Sequence, residues 1–69
     1  AMDERLEFYL INQARTLETT IIKTTHQEIA NDLNTSREVI SRLLKKMEQN
    51  GMISLHRNQI DMAPLVENV

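Results

Sequence analysis

Thr25-His26-Gln27-Glu28-Ile29-Ala30-Asn31-Asp32-Leu33-Asn34-Thr35-Ser36-Arg37-Glu38-Val39-Ile40-Ser41-Arg42 is the stretch that decides the fold. It holds the same helix-start pattern twice. In Thr25-His26-Gln27-Glu28 the threonine hydroxyl accepts from a backbone amide while Glu28 reaches back to the cap, which is a capping box. Thr35-Ser36-Arg37-Glu38 repeats the pattern. Ile29, Ala30 and Leu33 give the first helix its buried stripe. Leu33-Asn34-Thr35 is a tight break, with Asn34 the candidate for positive φ, which asparagine tolerates better than most residues. Short helix, turn and longer helix make a helix-turn-helix.

The longer helix is predicted from Ser36 to about Asn50, with Gly51 as the left-handed residue past its end. At about 100° per residue, Val39, Ile40, Leu43, Leu44 and Met47 share one arc. Arg37, Glu38, Ser41, Arg42, Lys45, Lys46, Glu48 and Gln49 share the other. Such a polar face is usually no more than solvated. Here the helix follows a capped short helix, and charge crowds its first two turns, where a recognition helix meets base edges. Arginine can donate two hydrogen bonds to guanine O6 and N7, and glutamate can accept from cytosine N4. Glu38 is claimed twice, by the cap with Thr35 and by a base.

Upstream, Asp3 to about Leu17 reads as a helix with Leu6, Leu10, Ala14 and Leu17 at core spacing and Tyr9 and Gln13 beside them. Phe8 and Ile11 fall on its other side, either as scattered exposed apolar residues or as a contact surface for a further domain or partner. Thr19 to Thr24 is β-branched and suits a short strand. Downstream, Ile53 and Leu55 alternate with Ser54 and His56, and Ile60 and Met62 with Gln59 and Asp61. Arg57-Asn58 is the two-residue turn of the hairpin between them. Pro64 closes the domain. The expected architecture is α+β and mainly α: a winged helix-turn-helix over residues 3–63, with three helices, a short strand and a small β-hairpin wing, followed by a tail at 64–69.

Composition narrows the function. Sixty-nine residues make one small domain, and 41% are hydrophobic, enough for a compact core. The chain has no cysteine and only two histidines, His26 and His56, with no second ligand at metal spacing from either. One glycine leaves no phosphate-binding glycine loop. No catalytic residue, metal site or cofactor is expected in this domain, and enzymatic activity is not expected. No run approaches a membrane span, and no signal peptide is visible. Ala1 before Met2 has the look of a cloning remnant. The net charge of −2 argues mildly against nucleic acid. Its distribution argues the other way: Asp3, Glu4 and Glu7 crowd the start, while Arg37, Arg42, Lys45, Lys46 and Arg57 gather between positions 37 and 57.

These residues carry a resemblance. Thr25-His26-Gln27-Glu28-Ile29-Ala30 and Thr35-Ser36-Arg37-Glu38-Val39-Ile40-Ser41-Arg42-Leu43-Leu44-Lys45-Lys46-Met47-Glu48 resemble the helix-turn-helix of the Crp/Fnr family of bacterial regulators. Arg5-Leu6, Leu10 and Ala14 resemble its opening helix, and Gly51-Met52-Ile53 its approach to the wing. The resemblance covers roughly residues 5–62 and implies sequence-specific binding of double-stranded DNA. It implies base-reading roles for Arg37, Glu38 and Arg42 in the catabolite-activator branch, and for Glu38, Ser41 and Arg42 in the oxygen-sensor branch. It implies phosphate contacts for Gln27, Thr35, Ser36, His56 and Arg57, beside which Lys45 is a further candidate. Asn34 and Asn58 stand where the family often has glycine. A long loop that some members use to touch RNA polymerase looks absent.

The resemblance also implies a cytoplasmic homodimer on a pseudo-palindromic site, with RNA polymerase a candidate partner. The family's N-terminal sensor domain and dimerising helix are expected to be missing from this chain, and the effector is unknown. Two rivals stand beside this reading: a winged helix that binds an acidic protein partner, and a DNA-binding domain of another winged-helix family.

Overall fold

The computed structural model describes residues 1–67. Its elements are α1 (Met2–Leu17), β1 (Ile21–Ile22), α2 (His26–Leu33), α3 (Arg37–Gln49), β2 (Ser54–His56), β3 (Gln59–Asp61) and α4 (Ala63–Glu67). The three strands form one antiparallel sheet in the order β1-β3-β2. Leu55 pairs with Ile60 and His56 with Gln59, so Arg57 and Asn58 are the turn. Asn58 has φ 57° and Arg57 does not share that sign. The turn is therefore not type I′, which needs positive φ at both central residues. The mainly helical α+β winged helix-turn-helix expected from the sequence is the fold observed.

Helices α1, α2 and α3 close with one device. Glu18 (φ 53°), Asn34 (φ 58°) and Gly51 (φ 73°) are left-handed. The amide after each donates back into its helix: Thr19 to Ala14 O at 3.1 Å, Thr35 to Ala30 O at 2.9 Å and Met52 to Met47 O at 3.0 Å. These are Schellman motifs, which satisfy carbonyls that a helix end would otherwise orphan.

The helix starts differ from expectation in detail. Thr25 caps α2, and its Oγ1 accepts from Glu28 N at 3.1 Å. Glu28 Oε1 then accepts from the Thr25 hydroxyl at 3.2 Å rather than from its backbone amide. The cap of α3 is Ser36, not Thr35, with Ser36 Oγ accepting from Val39 N at 3.2 Å. The amide of Thr35 already belongs to the turn that closes α2. This leaves Ser36 as the extended residue at the helix entrance.

The core draws on every element. Leu6, Leu10, Ile29, Ile40, Leu44, Ile60 and Met62 are fully buried, and no polar or charged side chain is buried among the described residues. Each such aliphatic side chain stabilises the fold by about 1.5–3 kcal/mol over an exposed one. Leu17 was expected in this stripe but is 56% exposed. It is the last residue of α1, and the chain turns away at Glu18. Phe8 is 65% exposed, while Ile11 packs partly against the core. The strand expected over 19–24 shrinks to Ile21–Ile22. Thr19 Oγ1 spends itself on Ile21 N at 3.1 Å.

A fourth helix replaces the expected start of the tail. Ala63 N donates to Asp61 Oδ1 at 2.9 Å, and Leu65 is buried in the core. Pro64 sits in the first turn, where its missing N–H is no loss. It opens a helix rather than ending the domain. The rest of the expected tail, residues 68–69, lies outside the described residues.

Two polar ties join α1 to α2. The Tyr9 hydroxyl donates to Asp32 Oδ2 at 2.6 Å, and Arg5 donates to Leu33 O at 3.4 Å, at the electronegative end of α2. Burial, then the Asp32 bond and charge, then Glu28, push the Tyr9 hydroxyl from 10.0 up to about 12. The fold thus favours neutral tyrosine. That stabilisation is fully present below about pH 10 and is lost as pH rises through about 12. Tyr9 is the single tyrosine, so tyrosinate absorbance reports it alone. Asp32→Asn should lower the midpoint toward 10; an unmoved midpoint would exclude Asp32 as a cause.

Candidate nucleic-acid interface

Helix α3 is anchored by Ile40, Leu44 and Met47, which are buried, and by Val39 and Leu43, which are half-buried. This leaves Arg37, Glu38, Arg42, Lys45 and Lys46 exposed along its outer face. Because Ser36 is the cap, Glu38 is released from that duty, and its carboxylate has no hydrogen bond among the described residues. Glu48 is committed, since its Oε2 accepts from Leu55 N at 2.9 Å and ties β2 to α3. The one ion pair among the described residues joins the Ala1 amino group to Glu4. Arg37, Arg42, Lys45, Lys46 and Arg57 thus carry unpaired charge there.

A groove of about 510 Å³ opens between the starts of α2 and α3 and the tip of the wing. Thr24, Thr25, His26 and Gln27 line one side, Arg37 another, and His56 to Ile60 the wing side. Thr24 N donates to Asn58 O at 3.2 Å and holds the wing against the entrance to α2. Among the described residues no carboxylate lines the groove. The first residues of both helices, His26 and Arg37, do, so the partial positive charge of two helix N-termini joins the side-chain charge there. Asp3 and Glu7 line a different hollow with Leu43, Lys46, Met47 and Met52, toward the far end of α3.

Of the ten residues singled out from the sequence, Gln27, Arg37, His56 and Arg57 come together in this groove. Glu38, Arg42 and Lys45 lie exposed on α3 beyond its lining, and Thr35 and Ser36 form the turn. Gln27 is exposed and donates from Nε2 to Asn31 Oδ1 at 2.9 Å. Ser41 differs from the rest. It is half-buried, and its Oγ lies 2.8 Å from Nδ1 of His26. Thr24, Thr25, His26, Asn58, Gln59 and Ile60 also line the groove and are not among the ten. Of these, Thr25 and Asn58 carry a local signal in the sequence, as a helix cap and a turn residue.

A family model described as a Crp-like helix-turn-helix domain matches residues 4–65. The chain belongs to this family. The Crp-like domain is therefore of the DNA-binding, transcription-regulating kind, and the rival from another winged-helix family falls away. It is similar to a Crp/Fnr-family transcriptional regulator from Eubacterium rectale, with 31% identity, a TM-score of 0.89, and coverage of 99% of this chain and 32% of that one. It is also similar to the catabolite activator protein of Thermus thermophilus, with 26% identity, a TM-score of 0.82, and coverage of 96% of this chain and 32% of that one. The Crp-like domain thus spans about a third of the length of these solved relatives. No curated protein matches it. Among the described residues no helix is long and apolar enough to cross a membrane.

Proposed function

We propose that this domain binds double-stranded DNA sequence-specifically as part of a cytoplasmic transcription regulator, with α3 in the major groove and the β2–β3 wing on the backbone. The observation that carries this reading is the carboxylate-free groove where two helix N-termini, Arg37 and Arg57 converge. Arg37, Glu38, Ser41 and Arg42 read base edges. Gln27, Thr35, Ser36, Lys45, His56 and Arg57 hold phosphates, which sets register without reading sequence. The domain itself does no chemistry and holds no cofactor. In the whole protein it works as one half of a homodimer on a pseudo-palindromic site, with RNA polymerase as a further partner. Exposed Phe8, with Ile11, faces the remainder of that protein.

Anisotropy titration of a labelled random duplex at low salt tests the reading against an acidic protein partner. Binding should weaken steeply with salt, because each phosphate neutralised releases counterions. Arg57→Ala should weaken binding equally on all sequences and reduce the slope of log K against log salt by about 0.9. An unchanged slope would remove Arg57 from the phosphate contacts, and no affinity for any duplex would favour the protein-partner reading.

A further inference from the structure

The contact between His26 and Ser41 joins the first residue of α2 to the middle of α3, 15 positions apart in the chain. It is the hydrogen bond that takes a side chain from the phosphate-facing groove to the helix face assigned to the bases. His26 lines the groove, and with Nδ1 engaged by Ser41 its Nε2 has no hydrogen-bond partner among the described residues. A serine hydroxyl has one proton and two lone pairs, and left free it rotates to donate or accept as its neighbour requires. Serine is for that reason a poor discriminator between bases. Ser41 is not left free.

We propose that His26 is a positioning residue that makes Ser41 selective, by coupling a phosphate contact to the reading of a base. This rests on the reading that α3 enters the major groove. Where His26 is neutral, a phosphate in the groove takes its Nε2–H as donor. Nδ1 is then the acceptor nitrogen, because a neutral imidazole carries one proton. The Ser41 hydroxyl must donate to Nδ1, and its oxygen offers only lone pairs outward. Ser41 so fixed selects a base that presents an amino group in the major groove, cytosine through N4 or adenine through N6, over one that presents acceptors alone.

Selection of half-sites from a random duplex pool, with salt titrations, tests this using the parent chain, Ser41→Ala, His26→Ala and His26→Asn. The parent should prefer cytosine or adenine at one position by roughly two- to tenfold, the value of one hydrogen bond. Ser41→Ala and His26→Ala should both lose that preference at that same position. His26→Ala should also weaken binding on all sequences alike by roughly two- to tenfold, the loss of one hydrogen bond, with the salt slope unchanged because a neutral imidazole neutralises no phosphate. Asparagine offers its amide oxygen near the place of Nδ1 but nothing at Nε2. His26→Asn should keep the preference and show the same uniform loss of affinity, a split that a merely structural role does not produce. Retention of the preference in His26→Ala, or changes at different positions in the two alanine variants, would overturn the proposal. If His26→Ala does not fold, loss of the preference in a folded His26→Asn does so instead. A parent with no preference at any position overturns the DNA-reading assignment itself, whereas a preference untouched at His26 overturns only this coupling.

Discussion

Ile40→Ala is expected to remove a large share of the domain's stability at 25 °C. Ile40 is fully buried on the inner face of α3, against a core with no polar member among the described residues. Truncating a buried isoleucine to alanine costs about 2–5 kcal/mol, from lost transfer energy and the cavity left behind. A domain of this size holds about 3–10 kcal/mol in total. Urea melts followed by circular dichroism should show the loss in the midpoint, and DNA affinity should fall with the folded fraction. Leu17→Ala is the control. Leu17 lies on a helix too, but its exposure should keep the change within about 0.5 kcal/mol. Equal losses at the two positions would mean that the assignment of α3's inner face is wrong.

Arg42→Ala should have the opposite profile, with stability kept and specificity lost. Its side chain is exposed and forms no ion pair among the described residues, so removing it leaves the fold unstrained. A bidentate arginine–guanine contact is worth about 1–3 kcal/mol of discrimination. The variant should bind its best half-site some five- to 150-fold less selectively at one position, with affinity for random duplex much less affected. Selection from a random pool measures this directly. An unchanged half-site would sink the assignment of Arg42 to base reading.

The sequence made the helix-turn-helix legible because its signals are local. Thr25, the Ile29–Ala30–Leu33 stripe, Asn34 and Gly51 each act within one turn of themselves, and each lies where the pattern placed it. The start of α3 lies one residue beyond the sequence expectation because Thr35 and Ser36 can both cap. What decides between them is the turn behind, which spends the Thr35 amide on Ala30. Pro64 misled for a similar reason, since proline both ends helices and begins them, and the choice depends on whether Leu65 finds a core to enter. The site was legible as a set of residues on one helix face. Its groove was not, because the hydrogen bonds from Thr24 to Asn58 and between His26 and Ser41 span distances along the chain that periodicity does not register.

The cationic lining of the groove orients an approaching duplex. The net charge of −2 means that a duplex repels the molecule as a whole at long range. The groove gathers Arg37, Arg57 and two helix starts, whereas Asp3 and Glu7 lie in a hollow toward the far end of α3, which Lys46 also lines. Within about a Debye length, roughly 10 Å at 0.1 M salt, the duplex feels the nearer pole more than the sum. Approach by the acidic end is turned away and approach by the groove end is drawn in. The domain therefore arrives already oriented, and a small negative total charge keeps it from lingering on DNA in any other pose.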